Sequence, residues 1–217
     1  MSHSHCNCPE HSEKHIETED ATLYTSDLLR FAAAGVDFCG VVEQARNLSL
    51  SEFINYLCPL LPKLYTLGWE LGNGYDYDPE YDFIPTYVSE KTYLSLQERL
   101  ERILGAYDTF VDIPSRETQL NDVPSLVRLS ELLCDIYQPV GDLLGILKER
   151  NESALLAAVA HCKNQFAEFW GDNCLIAARA LHRLRFSSIY ETILEDEEQG
   201  SNSLSQEQEI SSWDDFL

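Results

Sequence analysis

Basic residues are scarce in this chain: its 217 residues hold 15 Lys and Arg against 37 Asp and Glu, a net charge of −22. A phosphate backbone is bound by clustered Lys and Arg, so nucleic acid is not expected as a partner, and neither is an anionic membrane surface. No eighteen apolar residues run together, which leaves no candidate for a membrane-spanning helix. The opening residues, MSHSHCNCPEHSEKH, have neither a basic n-region nor an apolar h-region, and a cytoplasmic location is expected. Seven irregularly spaced cysteines make no disulfide framework. Cys39, Cys58, Cys134, Cys162 and Cys174 fall in apolar helical contexts, where a thiol behaves as a small hydrophobe. Familiar catalytic signatures are missing too. There is no Walker A loop, no G-x-S-x-G, no H-E-x-x-H and no Glu-x-x-His pair. Gly72-Asn73-Gly74 lacks the third glycine and the preceding strand of a dinucleotide fingerprint.

Helical periodicity is what the sequence has in abundance. Residues 25–46 place Leu28, Phe31, Ala32, Cys39 and Val42 on one side. From Phe53 the stripe runs Leu57, Leu60, Leu64, Leu67 and Leu71, after a Ser49/Glu52 capping box. Pro59 and Pro62 inside it predict a kink or break. A third stripe is Tyr93, Leu96, Leu100 and Ile103, with Ser89 as N-cap. The fourth is Leu126, Leu129, Leu133, Ile136, Val140, Leu143 and Leu147, with Pro124 in its first turn and a bend at Pro139. A short link near Asn151 then leads into Leu155, Ala158, Val159, Cys162, Phe166, Phe169, Trp170, Asn173, Ala177, Leu181 and Leu184. No segment alternates with period two for long enough to predict a strand. The expected fold is all-α, an antiparallel bundle of five to six helices over residues 22–190. Residues 1–21 and 191–217 are too polar or acidic to bury a core and are expected to be disordered tails.

Three segments invite a functional reading. In GNGYDYDPEYDFIP (residues 72–85), Asp76, Asp78 and Glu80 repeat every second residue, as in a calcium loop. Tyr81 and Tyr87 stand where such a loop needs Gly and Glu. The stretch therefore reads as a solvated connection between the second and third helices, with Tyr75, Tyr77 and Tyr81 as contact residues for recognition. The N-terminus gathers His3, His5, Cys6, Cys8, His11 and His15. These are ligand types for Zn or Ni, but their spacing matches no closed structural zinc site. Near the far end, Trp213 and Phe216 flank two aspartates in an acidic stretch, a pattern suited to a short docking peptide. In the last helix His161, Glu168, Asp172 and Arg179 share a face that reads as hydrated and polar.

Three runs carry a family resemblance: YVSEKTYLSLQERLERILG (87–105), LCDIYQPVGDLL (133–144) and HCKNQFAEFWGDNCLIAARALH (161–182). Over about residues 28–185 the chain resembles the bacterial domain of unknown function (DUF) 5063 family. That family's helical members close with a similar C-K-x-x-F-x-x-x-W-G followed by A-x-R-A-L-H. The resemblance implies an all-α fold and carries no activity. Its matching positions here are Cys162, Lys163, Phe166, Trp170, Gly171, Arg179 and His182. Phe166 and Trp170 suit a core and Gly171 close packing, which leaves Lys163, Arg179 and His182 as the candidates for a site. The leading expectation is a non-enzymatic protein-interaction or regulatory module whose partner has a basic surface, with no cofactor in the bundle. The alternatives are a metal-binding protein using the N-terminal cluster, and an enzyme or ligand-binding bundle with a site near Lys163, Arg179 and His182.

Overall fold

The computed structural model describes residues 23–72, 78, 83–112 and 124–200. Helix α1 (Ser26–Glu43) starts where the Thr25 hydroxyl accepts a hydrogen bond from the Leu28 amide at 3.2 Å. Helix α2 (Leu50–Glu70) opens on the expected capping box: the Glu52 amide donates to Ser49 Oγ and the Ser49 amide to Glu52 Oε2. Helix α3 (Glu90–Leu104) is capped by Ser89. Helix α4 (Leu129–Lys148) turns at residues 149–151 into α5 (Glu152–Gln165), making the anticipated hairpin. A π turn over Phe166–Trp170 joins α5 to α6 (Gly171–Arg185), and residues 188–200 form a last helix, α7. Helix α2 packs on α1 and α6, while α4 packs on α1, α3, α5 and α6. The core between them is aliphatic with a few rings, Phe31, Phe38, Phe53 and Trp170 being fully buried. No helix among the described residues is long and apolar enough to cross a membrane.

The structure corrects the sequence reading at four places. Helix α2 runs through Pro59 and Pro62 without a break. Phe53, Leu57, Leu61 and Leu64 on both sides of the prolines are fully buried, so tertiary packing outweighs the lost backbone donors. The fourth helix begins at Leu129, three residues after Leu126. Residues 125–128 are instead strand β2 (Ser125–Arg128), paired antiparallel with β1 (Thr109–Asp112) in the register Phe110 to Val127 and Val111 to Leu126. Four residues per strand are too few for an alternation to stand out.

The buried carboxylate of Asp108, not a local residue, caps α4. It accepts from the Ser130 amide at 2.7 Å and from Ser130 Oγ at 2.9 Å.

The third correction is the π turn. Cys162, Phe166, Trp170 and Cys174 follow one another at intervals of four, and each is buried. Four residues of ideal α-helix overshoot a full turn by about 40°; the wider turn absorbs that drift and keeps the stripe on the core. Phe169, expected on the stripe, is rotated outward and is 54% exposed.

Finally, the helical body passes residue 190, where composition placed its boundary. Tyr190 and Ile193 of α7 are buried, and Glu197 accepts from the Ser51 amide at 3.0 Å and Ser51 Oγ at 2.6 Å. A carboxylate there faces the positive end of α2, which offsets the acidity of the segment.

Candidate functional site

A cleft of about 770 Å³ lies between α4 and the α5–α6 rod, with residues 83–86 forming one wall. Among the described residues, its acidic and imidazole side chains are Asp135 and Asp142 from α4 and His161 from α5. The two aspartates are seven residues apart, so they share a helix face about 10 Å apart along the axis. Gln138, Gln165 and Asn173 supply neutral hydrogen-bonding groups, and Cys162 lies at the base.

Each acid is positioned from outside α4. Tyr93 of α3 donates its hydroxyl to Asp135 Oδ1 at 2.7 Å, and Asn173 Nδ2 of α6 lies 3.5 Å from Oδ2. Asp142 Oδ1 accepts the Tyr87 and Val88 amides at 2.6 and 2.7 Å, while its Oδ2 accepts no hydrogen bond from a described residue. These amides bind the chain that leads into α3 against α4, and two glycines make room for it. A Cβ on Gly141 would stand 2.9 Å from Val88 Cγ2, and one on Gly145 would collide with the Tyr87 side chain.

Burial sets the electrostatics of the cleft. It pushes the Asp135 carboxyl above its ordinary range; the Tyr93 hydrogen bond pulls the other way, and Glu131 adds to the rise. Asp142 is likewise raised by burial, against the pull of the Val88 and Tyr87 amides and of His161. His161 is lowered by burial, with Asp142 and Glu168 opposing. The Cys162 thiol is pushed up to about 12 by burial, so it stays a thiol at neutral pH. The remaining described cysteines are also free, and Cys39, Cys134 and Cys174 are buried, as expected of thiols serving as small hydrophobes.

The residues singled out by the family motif do not converge on this cleft. Lys163 reaches the C-terminal end of α2, where its ammonium donates to the Gly68 carbonyl at 2.9 Å and to the Trp69 carbonyl. Trp170 is fully buried between α1 and the π turn, its ring 5.9 Å from Phe31 and 4.7 Å from Phe166, and its Nε1 donates to the Cys162 carbonyl. Arg179 pairs with Asp112 of β1. His182 is exposed and its ring lies 4.7 Å from that of Phe186, tilted by 47°. Three of these side chains thus bind backbone or a strand, and Lys163, Arg179 and His182 form no common site. The expected polar face breaks up similarly: His161 lines the cleft, Asp172 lies with Lys163 in a different groove, and Arg179 faces the ribbon. Tyr75, Tyr77, Tyr81, Trp213, Phe216 and the His3–His15 cluster lie outside the described residues. Among the described residues no three His, Cys, Asp or Glu side chains gather as a metal site would need.

Asp135 and Asp142 escaped sequence reasoning, although a signal was present. They adjoin the stripe residues Ile136 and Leu143, which sets both carboxylates at the border of the apolar face.

No curated protein matches this chain. Among solved structures, the chain is similar to the crystal structure of protein BF1032 from Bacteroides fragilis, a structural genomics target. The TM-score is 0.65 at 24% sequence identity, over 76% of this chain and 96% of that one. At that identity the likeness establishes the helical fold. The family model described as domain of unknown function DUF5063 matches residues 22–187, and this chain belongs to that family.

Proposed function

We propose that this chain is a binding module whose α4–α5 cleft receives a cationic group, the amine or guanidinium of a Lys or Arg presented by a basic protein partner. The observation that carries this reading is the lining: the carboxylates of Asp135 and Asp142, both raised by desolvation, an imidazole held towards neutrality, and no Lys or Arg among the described residues. An incoming cation relieves the desolvation of the two carboxylates, and Asp142 Oδ2 accepts no hydrogen bond from a described residue. Phe83, 83% exposed, and Phe169 add ring faces for cation–π contact at the same cleft. The net charge of −22 extends the attraction beyond the cleft and makes association sensitive to salt.

The test is calorimetric titration of the full chain, at low salt, with a blocked tetra-arginine peptide, a blocked tetra-lysine peptide and spermidine. Saturable binding of a peptide, weakened about tenfold or more by Asp135→Asn with Asp142→Asn, is the expected result. Equal affinity in the double variant rejects the cleft as the site. Spermidine binding as tightly as either peptide replaces the protein partner with a small polyamine.

A further inference from the structure

A second concavity, about 280 Å³, lies on another part of the molecule, between β1 and the end of α6. Its apolar lining includes Phe110, Leu129, Leu184 and Ile189, and its charged residues among those described are Arg179 and Arg183. Residues 179–185 read RALHRLR, a local excess of positive charge in a strongly acidic chain. Arg179 is balanced by Asp112, and Arg185 is occupied by Asn55 Oδ1 and the Tyr190 ring. Arg183 is exposed and pairs with no described residue. Beside the groove the ribbon turns Val111 and Leu126, 61% and 73% exposed, toward solvent. An apolar groove edged by an uncommitted guanidinium fits an aromatic side chain that carries acidic neighbours.

We infer that this groove is the docking site for the chain's own segment 213–216, Trp-Asp-Asp-Phe. Charge complementarity supports that occupant: residues 201–217 contain no Lys or Arg and include Glu207, Glu209, Asp214 and Asp215. Trp213 and Phe216 are the aromatic side chains of that stretch. Reach supports it as well. Ser187 and Ile189, at the start of α7, line the groove, and α7 carries the chain about 18 Å away from it by residue 200. The thirteen residues from there to Trp213 can span up to about 45 Å, more than twice the return distance. Tethering gives the segment a high effective concentration at the groove, so a weak contact suffices. An external acidic peptide or a second copy's tail would have to displace it.

Fluorine NMR on the full chain labelled with 5-fluorotryptophan tests this directly. Trp69, Trp170 and Trp213 give three signals, and Trp213→Phe identifies the third. The expected result is a Trp213 signal displaced from its position in urea, independent of protein concentration, and moved to the urea position by Arg183→Glu or by high salt. Trp69 and Trp170 signals that do not move show that the variant remains folded. Reversing the tail with Asp214→Lys and Asp215→Lys in the Arg183→Glu background is expected to restore the displacement. A Trp213 signal already at the urea position in the native chain overturns the inference, as does one indifferent to Arg183→Glu. A displacement that grows with protein concentration transfers the contact to a second copy and overturns docking within one chain.

Discussion

A Cβ built on Gly68 would stand 2.5 Å from Cη2 of Trp170 and 2.9 Å from Cδ2 of Phe166, so α2 meets the π turn ring against backbone. Gly68→Ala therefore sets two effects against each other. Helix propensity favours alanine by up to about 1 kcal/mol, while overpacking against a fully buried indole costs about 1–3 kcal/mol. The clash is with a rigid ring that α1 and the π turn hold in place, so the loss prevails. Urea unfolding is expected to show a net destabilisation, and Trp170→Phe in the Gly68→Ala background should cost less than it does alone. Additive losses would mean that the two residues are not coupled.

The same logic of supply from a distance applies to the start of α4. Asp108 is 4% exposed and receives the Ser130 amide, the Ser130 hydroxyl and Arg128 Nε. Asp108→Ala removes an N-cap and leaves buried donors unsatisfied, a loss of about 2 kcal/mol. Asp108→Asn, which keeps one acceptor, should fall between. Equal melting temperatures for Ala and native chains would show that water replaces the cap.

The helices were legible because their signals are local. The Ser49/Glu52 box, the Ser89 cap and the leucine stripe of α2 each lie within one or two turns, and the structure reproduces all three. What could not be read depends on partners far along the chain. The Asp108 cap acts across twenty-two residues, and the ribbon pairs four residues with four. The cleft needs α3, α4, α6 and the segment before α3 brought together before Asp135 and Asp142 acquire their surroundings. The motif residues Lys163 and Trp170 illustrate the reverse case. They stand out in sequence as a site would, and they are used to close α2 and to fill the core.

Lys163 gives a prediction that separates those roles. Its ammonium satisfies two carbonyls at the last turn of α2, which have no helical donor of their own. Lys163→Met should cost about 1 kcal/mol by urea unfolding and leave titration of the α4–α5 cleft with tetra-arginine unchanged. A variant of native stability with altered peptide binding would place Lys163 in the binding surface.

Glu197 tests whether α7 belongs to the folded body. It holds the Ser51 amide and hydroxyl at the positive end of α2, so Glu197→Gln should cost about 0.5–1 kcal/mol. The loss should shrink at high salt. A chain shortened after residue 187 should lose more, because Tyr190 and Ile193 leave the core with it. If both variants melt with the native chain, α7 contributes nothing to the fold.

The acids of the cleft make the sharpest case, because binding and stability should respond to pH in opposite ways. Asp135 and Asp142 titrate above the ordinary 3.8. Between 3.8 and their raised values, the folded chain therefore holds more protons than the unfolded one, and these acids make stability fall as pH rises through that window. His161 has the other sign: between its depressed value and 6.5 the unfolded chain holds more protons, so its contribution grows as pH rises. Asp135→Asn and Asp142→Asn keep an oxygen to accept from Tyr93 or from the Tyr87 and Val88 amides. They remove a desolvated charge, so the melting temperature at neutral pH should be equal or higher. Binding of tetra-arginine runs the other way. Acidification discharges both carboxylates and charges His161, each of which opposes a cation, so affinity should decline steadily from neutral pH into the carboxylate range. In the double variant that decline should flatten, leaving the titration of His161. Asn variants that bind less and melt no lower would mark two carboxylates kept for binding at the expense of stability. Variants that melt well below the native chain would mean that Asp135 and Asp142 are there to hold α3 and its leading segment in place.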